Sequence, residues 1–124
     1  MSKTVFFYGS LKRGHYNYKR FGMDECKFLG SAEIWGYKLF TNVMYPAVIN
    51  SGDDNDIVYG EVFLVPDELF QLLKQMEIGA GYHIDTVDAV WDAEKQVTVE
   101  LFAMNLPQVE RRWEFISDGV FKLN

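Results

Sequence analysis

The sequence predicts an α+β fold whose core is made mainly of β-strands. Aromatic residues account for 16% of the 124 residues, and many of them stand beside Val or Ile in short runs. Such runs suit a pleated and half-buried surface better than a long helix. The segment that follows Pro66 has instead the spacing of an amphipathic helix. A length of 124 residues leaves room for one domain with its own core, so we expect residues 1–124 to form a single domain.

Composition excludes several classes of protein. The chain has 12 Lys and Arg against 18 Asp and Glu, a formal charge of -6, which argues against a broad basic surface for nucleic acid. No apolar stretch approaches the roughly 18 residues of a membrane span, and Met1 leads directly into a strand-like run rather than a signal peptide. Cys26 has no partner for a disulfide, and neither it nor the two histidines shows zinc-site spacing.

These exclusions predict a cytoplasmic protein that handles a small molecule. We expect no metal, no cofactor, no nucleic acid and no membrane among its partners. The oligomeric state is not indicated by the sequence. The acidic turn Asp53–Asp56 lacks the glycine and the distal glutamate of a calcium loop, so we interpret it as solvated.

The first half of the chain predicts three strand regions. Val5–Tyr8 is apolar on both faces, which is typical of an interior strand, and it ends at Gly9. Residues 27–42 alternate imperfectly, with glycines where a bulge or sharp bend would fall, so they predict a bent strand or a hairpin. Residues 45–49 predict a short strand that Pro46 opens.

The second half predicts a strand, a helix and a hairpin. Residues 57–65 are the strand, and Pro66-Asp67-Glu68 begin the helix. We expect this helix to run to about Met76, to end at the glycines 79–81, and to pack on the sheet through one stripe made of Leu69, Leu72, Leu73 and Met76. Residues 82–91 and 96–104 predict the hairpin. A short helix over 113–116 and a tail packed through Val120 and Phe121 complete the chain.

Two places could carry chemistry. A strand that ends in Gly9-Ser10 can turn successive backbone N–H groups toward one point and bind an anion, although a Gly-Ser pair alone is more often an ordinary tight turn. Glu77 stands near the C-terminus of the helix, four residues after Leu73, so it leans toward the core. Burial and the helix dipole both raise the pKa of such a carboxyl. From these residues alone, a catalytic carboxyl and a solvated surface glutamate are equally good interpretations.

Four segments together resemble the γ-glutamylcyclotransferase-like family, which includes γ-glutamylamine cyclotransferases and AIG2-like proteins. Their order and spacing are more specific than any one of them, and they cover most of the chain. They are Val5–Gly14, Tyr45–Val48, Tyr59–Phe63 and Met76–Tyr82. The resemblance implies a small mixed β-barrel with flanking helices. It also implies that the strand-end turn of Tyr8, Gly9, Ser10 and Leu11 lines the substrate cavity, and that Glu77 is the catalytic acid/base.

The resemblance implies an enzyme that cyclises a γ-glutamyl amine or γ-glutamyl amino acid to 5-oxoproline and releases the free amine. Glu77 would act as general acid/base, N–H groups around Gly9, Ser10 and Leu11 would bind the substrate carboxylate or an oxyanion, and Tyr82 would orient Glu77. The chain departs from the family where many members carry an arginine shortly after the tyrosine, since it has His83-Ile84-Asp85 there. It departs again in the helix, where many members carry Leu-Asp and this chain has Lys74-Gln75.

Two alternatives stay open. One is a non-catalytic module that binds a small ligand on the same barrel, which the departure at His83 favours. The other is an RNA or protein interaction domain that uses the basic and aromatic segment from Lys12 to Arg20. The leaving amine of the reaction is not indicated by any motif.

Overall fold

The computed structural model describes residues 1–9, 22–42, 46–91, 95–105 and 113–121. Within these ranges the chain forms eight strands and one α-helix. The strands are β1 (Ser2–Phe7), β2 (Lys27–Trp35), β3 (Tyr37–Thr41), β4 (Pro46–Asn50), β5 (Ile57–Pro66), β6 (His83–Trp91), β7 (Lys95–Ala103) and β8 (Glu114–Ile116). The helix, α1, spans Asp67–Gly79, and a single 3-10 turn covers Met23–Glu25.

Five strands close into a barrel in the order β1-β5-β2-β6-β7. All neighbours in it are antiparallel except β1 and β7, which run parallel where Val5 pairs with Glu100. The barrel is therefore mixed, and the predicted α+β fold with a small mixed β-barrel is confirmed. β1 has a partner on each side, as expected of an interior strand.

β1 is apolar throughout because both of its faces are covered. Side chains alternate along a strand, so Phe6 and Tyr8 pack inside the barrel with residues from its other strands. Val5 and Phe7 face outward and pack under α1 with Phe70. The uninterrupted apolar run Val5–Tyr8 thus contributes side chains to two hydrophobic clusters, one inside the barrel and one under α1.

The region 27–42 is a bent strand rather than a hairpin. β2 belongs to the barrel, whereas β3 lies in a second sheet of order β4-β3-β8. The chain bends at Gly36, whose φ of 87° is left-handed and favours glycine. The backbone N–H of Gly36 donates to the carbonyl of Asp56 at 2.8 Å, which fixes the bend beside the start of β5. The register with β5 also shifts between Phe28 and Gly30, where a bulge was expected.

The prediction of a short helix over residues 113–116 is wrong. Glu114–Ile116 is strand β8, and it pairs antiparallel with β3 from Thr41 to Leu39. β3 has β4 on one side only, so its other edge offers unpaired backbone groups that β8 satisfies. After β8, Phe121 is buried in the barrel interior, as the expected packing of the tail requires.

α1 is longer than expected and is rotated relative to the predicted stripe. Leu72 is 61% exposed and Met76 is 38% exposed, whereas Phe70 and Leu73 are buried, so the prediction is wrong for Leu72 and Met76. Apolar residues lie on two neighbouring stripes of this helix, and packing selects between them. The ring of Phe70 stacks on Phe102 of β7 at 6.1 Å between centroids, which turns the face of Phe70, Leu73 and Glu77 toward the barrel.

β6 and β7 form the predicted hairpin, with a continuous antiparallel register from His83 opposite Ala103 to Trp91 opposite Lys95. Beyond its end, Met104 bridges to Ile49 of β4, and its backbone N–H donates to the carbonyl of Val48 at 3.0 Å. This contact brings β4 against the end of the barrel where β1 also ends.

Candidate functional site

The end of β1, the start of β4 and the segment after α1 meet at one place. A Cβ atom on Gly9 would lie 2.6 Å from Cγ of Pro46, so only glycine lets the proline ring come this close. The hydroxyl of Tyr82 donates to the carbonyl oxygen of Pro46. The backbone N–H of Tyr82 donates to the carbonyl of Glu77 at 3.0 Å. Gly9, Pro46, Tyr82 and Glu77 are therefore linked by direct contacts.

Tyr8 brings a buried hydroxyl to the same place. Its side chain is buried, and its hydroxyl donates to the backbone carbonyl of Phe102 at 2.7 Å. Burial raises the pKa of Tyr8 well above its ordinary value, and the nearby Tyr82 and Glu77 raise it further, while a backbone hydrogen bond from Val48 acts in the opposite direction. Tyr8 is thus neutral at physiological pH, and its phenol lies within electrostatic reach of Glu77.

Glu77 is the second ionisable group that this setting changes. It follows Leu73 by one helical turn, so it lies on the packed face of α1. Burial raises the pKa of its carboxyl from 4.5 to about 7, in the direction that the sequence predicts. A carboxyl with this pKa is present in both protonation states near neutral pH, and so it can accept a proton in one step and donate one in another.

Tyr82 contacts Glu77 through the backbone, and its hydroxyl is bonded to Pro46. Its ring packs between two hydrophobic groups, one under α1 and one formed by Ala47, Ile49 and Met104. Tyr82 therefore fixes the end of α1 against β4. The role of Tyr82 in orienting Glu77 stays a prediction.

Ser10 and Leu11 lie outside the residues that the structure describes, as does the segment from Lys12 to Arg20. Of the predicted anion-binding turn, Tyr8 and Gly9 are described. Gly9 lies against Pro46, and the phenol of Tyr8 lies within electrostatic reach of Glu77. The roles of Ser10 and Leu11 and the alternative that uses the basic segment stay predictions.

A second polar cluster follows directly after Tyr82. The Nε2 atom of His83 lies 3.2 Å from Oδ1 of Asp85, and the hydroxyl of Tyr37 donates to Oδ2 of Asp85 at 2.8 Å. Burial, together with this bond and the charge of Asp85, raises the pKa of Tyr37 above its ordinary range. The sequence singled out His83 and Asp85 but missed Tyr37, because nothing local to β3 indicates a partner 48 residues away.

Within the described ranges, no three His, Cys, Asp or Glu side chains come close enough together to bind a metal ion. No helix there has the length and apolar character needed to cross a bilayer.

Comparison with solved structures gives the same fold. An uncharacterized protein from Pyrococcus horikoshii is 26% identical, with a TM-score of 0.76 over 97% of this chain and 90% of the other. An AIG2-like protein from Mus musculus is 18% identical, with a TM-score of 0.76 over 98% of this chain and 88% of the other. A structure described as gamma-glutamyl cyclotransferase is 18% identical, with a TM-score of 0.67 over 93% of this chain and 70% of the other. A comparison with curated proteins gives no significant match.

The fold and the site define a small mixed β-barrel in which Glu77, a partly buried glutamate in the last turn of α1, lies within electrostatic reach of Tyr8 at the end of the first strand. The family model described as gamma-glutamyl cyclotransferase, AIG2-like, matches residues 5–123. The chain belongs to this family, which confirms the resemblance stated from the sequence. Membership supports a cyclotransferase role at the level of the family.

Proposed function

We propose that the protein cyclises a γ-glutamyl amine or γ-glutamyl amino acid to 5-oxoproline and releases the free amine. The observation that carries the proposal is the carboxyl of Glu77, whose pKa burial raises to about 7, beside Tyr8 and the end of β1. Membership of the gamma-glutamyl cyclotransferase, AIG2-like family supports the same reaction.

The substrate of this reaction carries its own nucleophile. Its α-amine attacks the γ-carbonyl carbon, a new C–N bond closes a five-membered ring, and the C–N bond to the leaving amine breaks. The protein need only hold the chain curled, since well-oriented intramolecular reactions reach effective molarities on the order of 10⁵ to 10⁸ M. A covalent nucleophile on the protein is unnecessary.

The remaining task is proton transfer, which we assign to Glu77. As a carboxylate it takes a proton from the substrate ammonium, and as an acid it returns a proton to the leaving amine. Tyr8 does not suit the first step, because burial raises the pKa of its phenol and its proton is donated to Phe102. A carboxyl with a pKa of about 7 suits both steps near neutral pH.

The developing negative charge on the γ-carbonyl oxygen requires donors. We assign this task to backbone N–H groups at the end of β1, from Gly9 together with Ser10 and Leu11, either for that oxyanion or for the substrate carboxylate. Pro46 contacts Gly9 on one side and Tyr82 on the other, so Tyr82 acts as a positioning residue for both halves of the site.

The first prediction concerns Glu77→Gln. We expect turnover to fall by about 10² to 10⁴, because the amide keeps the shape of the side chain but cannot accept the proton. Formation of 5-oxoproline from γ-glutamyl-alanine and from the γ-glutamyl-lysine isopeptide, followed by mass spectrometry, measures this. Glu68→Gln is the control, since Glu68 is exposed in the first turn of α1. A Glu77→Gln protein that cyclises these substrates at the wild-type rate contradicts the assignment.

The second candidate function is a binding module on the same barrel without turnover. It is favoured by one observation, the His83 and Asp85 pair at the position where many family members carry an arginine. Calorimetry with 5-oxoproline and with uncleaved γ-glutamyl-alanine separates the two functions. Binding without ring closure supports the module, whereas ring closure by the wild-type protein that Glu77→Gln abolishes supports the enzyme.

A further inference from the structure

His83, Asp85 and Tyr37 form a polar cluster, with one hydrogen bond and one close nitrogen–oxygen contact, that the mechanism above does not use. Asp85 is at its centre, because one carboxylate oxygen accepts from Tyr37 and the other lies next to Nε2 of His83. The three residues differ strongly in exposure. Tyr37 is only 4% exposed, whereas the His83 side chain is 39% exposed. The cluster thus leads from the core outward to an accessible imidazole.

The backbone around His83 is fixed at two points. Tyr82, one residue before it, is bonded to Pro46 at the start of β4. Asp85, two residues after it, is bonded to Tyr37 on β3. His83 also pairs with Ala103, next to the carbonyl that accepts the hydroxyl of Tyr8. His83 therefore has a defined place at the border of the candidate site.

The partner of Nε2 determines what the other ring nitrogen can do. A carboxylate oxygen only accepts hydrogen bonds, so we assign the proton of the neutral ring to Nε2, which lies 3.2 Å from Oδ1 of Asp85. Nδ1 is then an acceptor. The hydrogen bond between Tyr37 and Asp85 is enough to link β3 to β6. It does not account for the accessible imidazole of His83 beside Asp85.

The charges at this place favour a cationic ligand. The carboxylate of Asp85 lies directly behind the imidazole, and the whole chain has a formal charge of -6. An ammonium group in contact with Nδ1 would donate a charge-assisted hydrogen bond and would be attracted by the carboxylate of Asp85. A second carboxylate at the same place would be repelled.

We propose that His83 is a specificity-determining residue that accepts a hydrogen bond from an ammonium group on the leaving amine of the substrate. Asp85 and Tyr37 are positioning residues that hold its tautomer and orientation. The inference rests on the proposed cyclisation and narrows its substrates to γ-glutamyl conjugates of diamines or of other amines with a second cationic group. Glu77 carries out the proton transfer, and His83 selects the amine.

Two substrates of nearly equal size and shape test this proposal. γ-Glutamyl-putrescine ends in an ammonium group, whereas γ-glutamyl-pentylamine ends in a methyl group at the same position. For the wild-type protein we expect kcat/KM to favour γ-glutamyl-putrescine by about tenfold or more, which is the range of a hydrogen bond to a charged group. In His83→Phe we expect the preference to disappear through a higher KM for γ-glutamyl-putrescine.

Three further variants separate recognition from a structural role. His83→Asn keeps an acceptor near the position of Nδ1 and is expected to restore part of the preference. Asp85→Asn is expected to weaken the preference, because the amide no longer fixes the tautomer. Asp88→Asn is the matched control on the same hairpin, since Asp88 accepts a hydrogen bond from Thr98 on the exposed face, and it is expected to leave the preference unchanged.

The outcomes distinguish this inference from the proposed function. A wild-type protein that cyclises both substrates equally well, or a His83→Phe protein that keeps the preference, overturns the role of His83 and leaves the cyclisation standing. A wild-type protein that cyclises neither substrate, and no other γ-glutamyl compound, overturns both.

Discussion

At the scale of single residues, the same burial has opposite chemical consequences for Glu77 and Tyr8. It raises the pKa of both groups, because a low-dielectric environment disfavours a negative charge. The pKa of the carboxyl is thereby moved into the neutral range, where the group can exchange protons. The pKa of the phenol is moved further above that range. Two acidic groups at one site thus acquire different roles, one for proton transfer and one for fixed hydrogen bonding.

The raised pKa of Glu77 predicts how stability depends on pH. The folded protein holds this proton up to about pH 7, and the unfolded chain releases it near pH 4.5. The folded state therefore binds more protons between these values, so the free energy of unfolding falls as pH rises through this window. The full shift corresponds to a loss of about 3 kcal/mol at most.

Glu77→Gln removes this dependence. We expect the variant to be more stable than the wild-type protein at pH 8, by up to about 3 kcal/mol, and to differ little from it at pH 4.5. Urea denaturation at both pH values measures the difference. An equal change in stability at the two pH values would show that the carboxyl of Glu77 is not desolvated by folding.

Gly9 offers a second prediction at this scale. In Gly9→Ala the new methyl group meets Pro46 at 2.6 Å, and a proline ring has little freedom to move away. We expect a loss of about 1 to 3 kcal/mol of stability from overpacking, and reduced turnover because Pro46 also holds Tyr82. Gly79→Ala is the control, since no atom lies within 4 Å of its Cβ position and alanine favours the helix. Thermal unfolding and the 5-oxoproline assay measure both effects.

At the scale of elements, the rotation of α1 determines where Glu77 points. The apolar residues of this helix stand at positions 69, 70, 72, 73 and 76. Their periodicity is compatible with two buried faces, which differ by a rotation of the helix of about one residue. Stacking of Phe70 on Phe102 selects the face that includes Leu73, and Glu77 follows from it. With the other rotation, Met76 would be buried and Glu77 would lie at the edge of the packed face.

This rotation predicts unequal effects for two neighbouring leucines. Leu73 is 1% exposed and Leu72 is 61% exposed. We expect Leu73→Ala to lower the free energy of unfolding by about 2 to 5 kcal/mol, as for other buried leucines. Leu72→Ala should stay within about 0.5 kcal/mol of the wild-type protein. Equal losses in urea denaturation would favour the stripe that the sequence predicted.

At the scale of the whole molecule, the fold is a barrel joined to a second sheet and closed by the C-terminal segment. Two hydrogen bonds link the second sheet to the barrel. The hydroxyl of Tyr37 donates to Asp85, and the backbone N–H of Met104 donates to the carbonyl of Val48. The C-terminal segment is tied to β5, because the backbone N–H of Tyr59 donates to the carbonyl of Gly119 at 2.9 Å. Residues from both ends of the chain therefore contribute to the barrel core.

A comparison of two phenylalanines tests this closure. Phe121 is 3% exposed inside the barrel, whereas Phe115 on β8 is 46% exposed. We expect Phe121→Ala to cost about 3 to 5 kcal/mol of stability, the range for a buried phenylalanine. Phe115→Ala should cost about 1 kcal/mol, since this exposed ring has a tilted contact with Phe40 and lies under Nζ of Lys38 at 5.6 Å. If Phe121→Ala unfolds at the wild-type urea concentration, the barrel core does not depend on the C-terminal segment.

Local sequence sufficed for the features that depend on neighbours in the chain. The apolar run of β1, the proline and acids that begin α1 and the hairpin of β6 and β7 all follow from residues a few positions apart. The tertiary structure alone decided that β2 and β3 enter different sheets, that residues 114–116 form a strand and which face of α1 is buried. It also decided the hydrogen bonds between Tyr37 and Asp85 and between Tyr82 and Pro46, whose partners are 48 and 36 residues apart. Such contacts arise from strand pairing and packing over long separations, for which local periodicity carries no information.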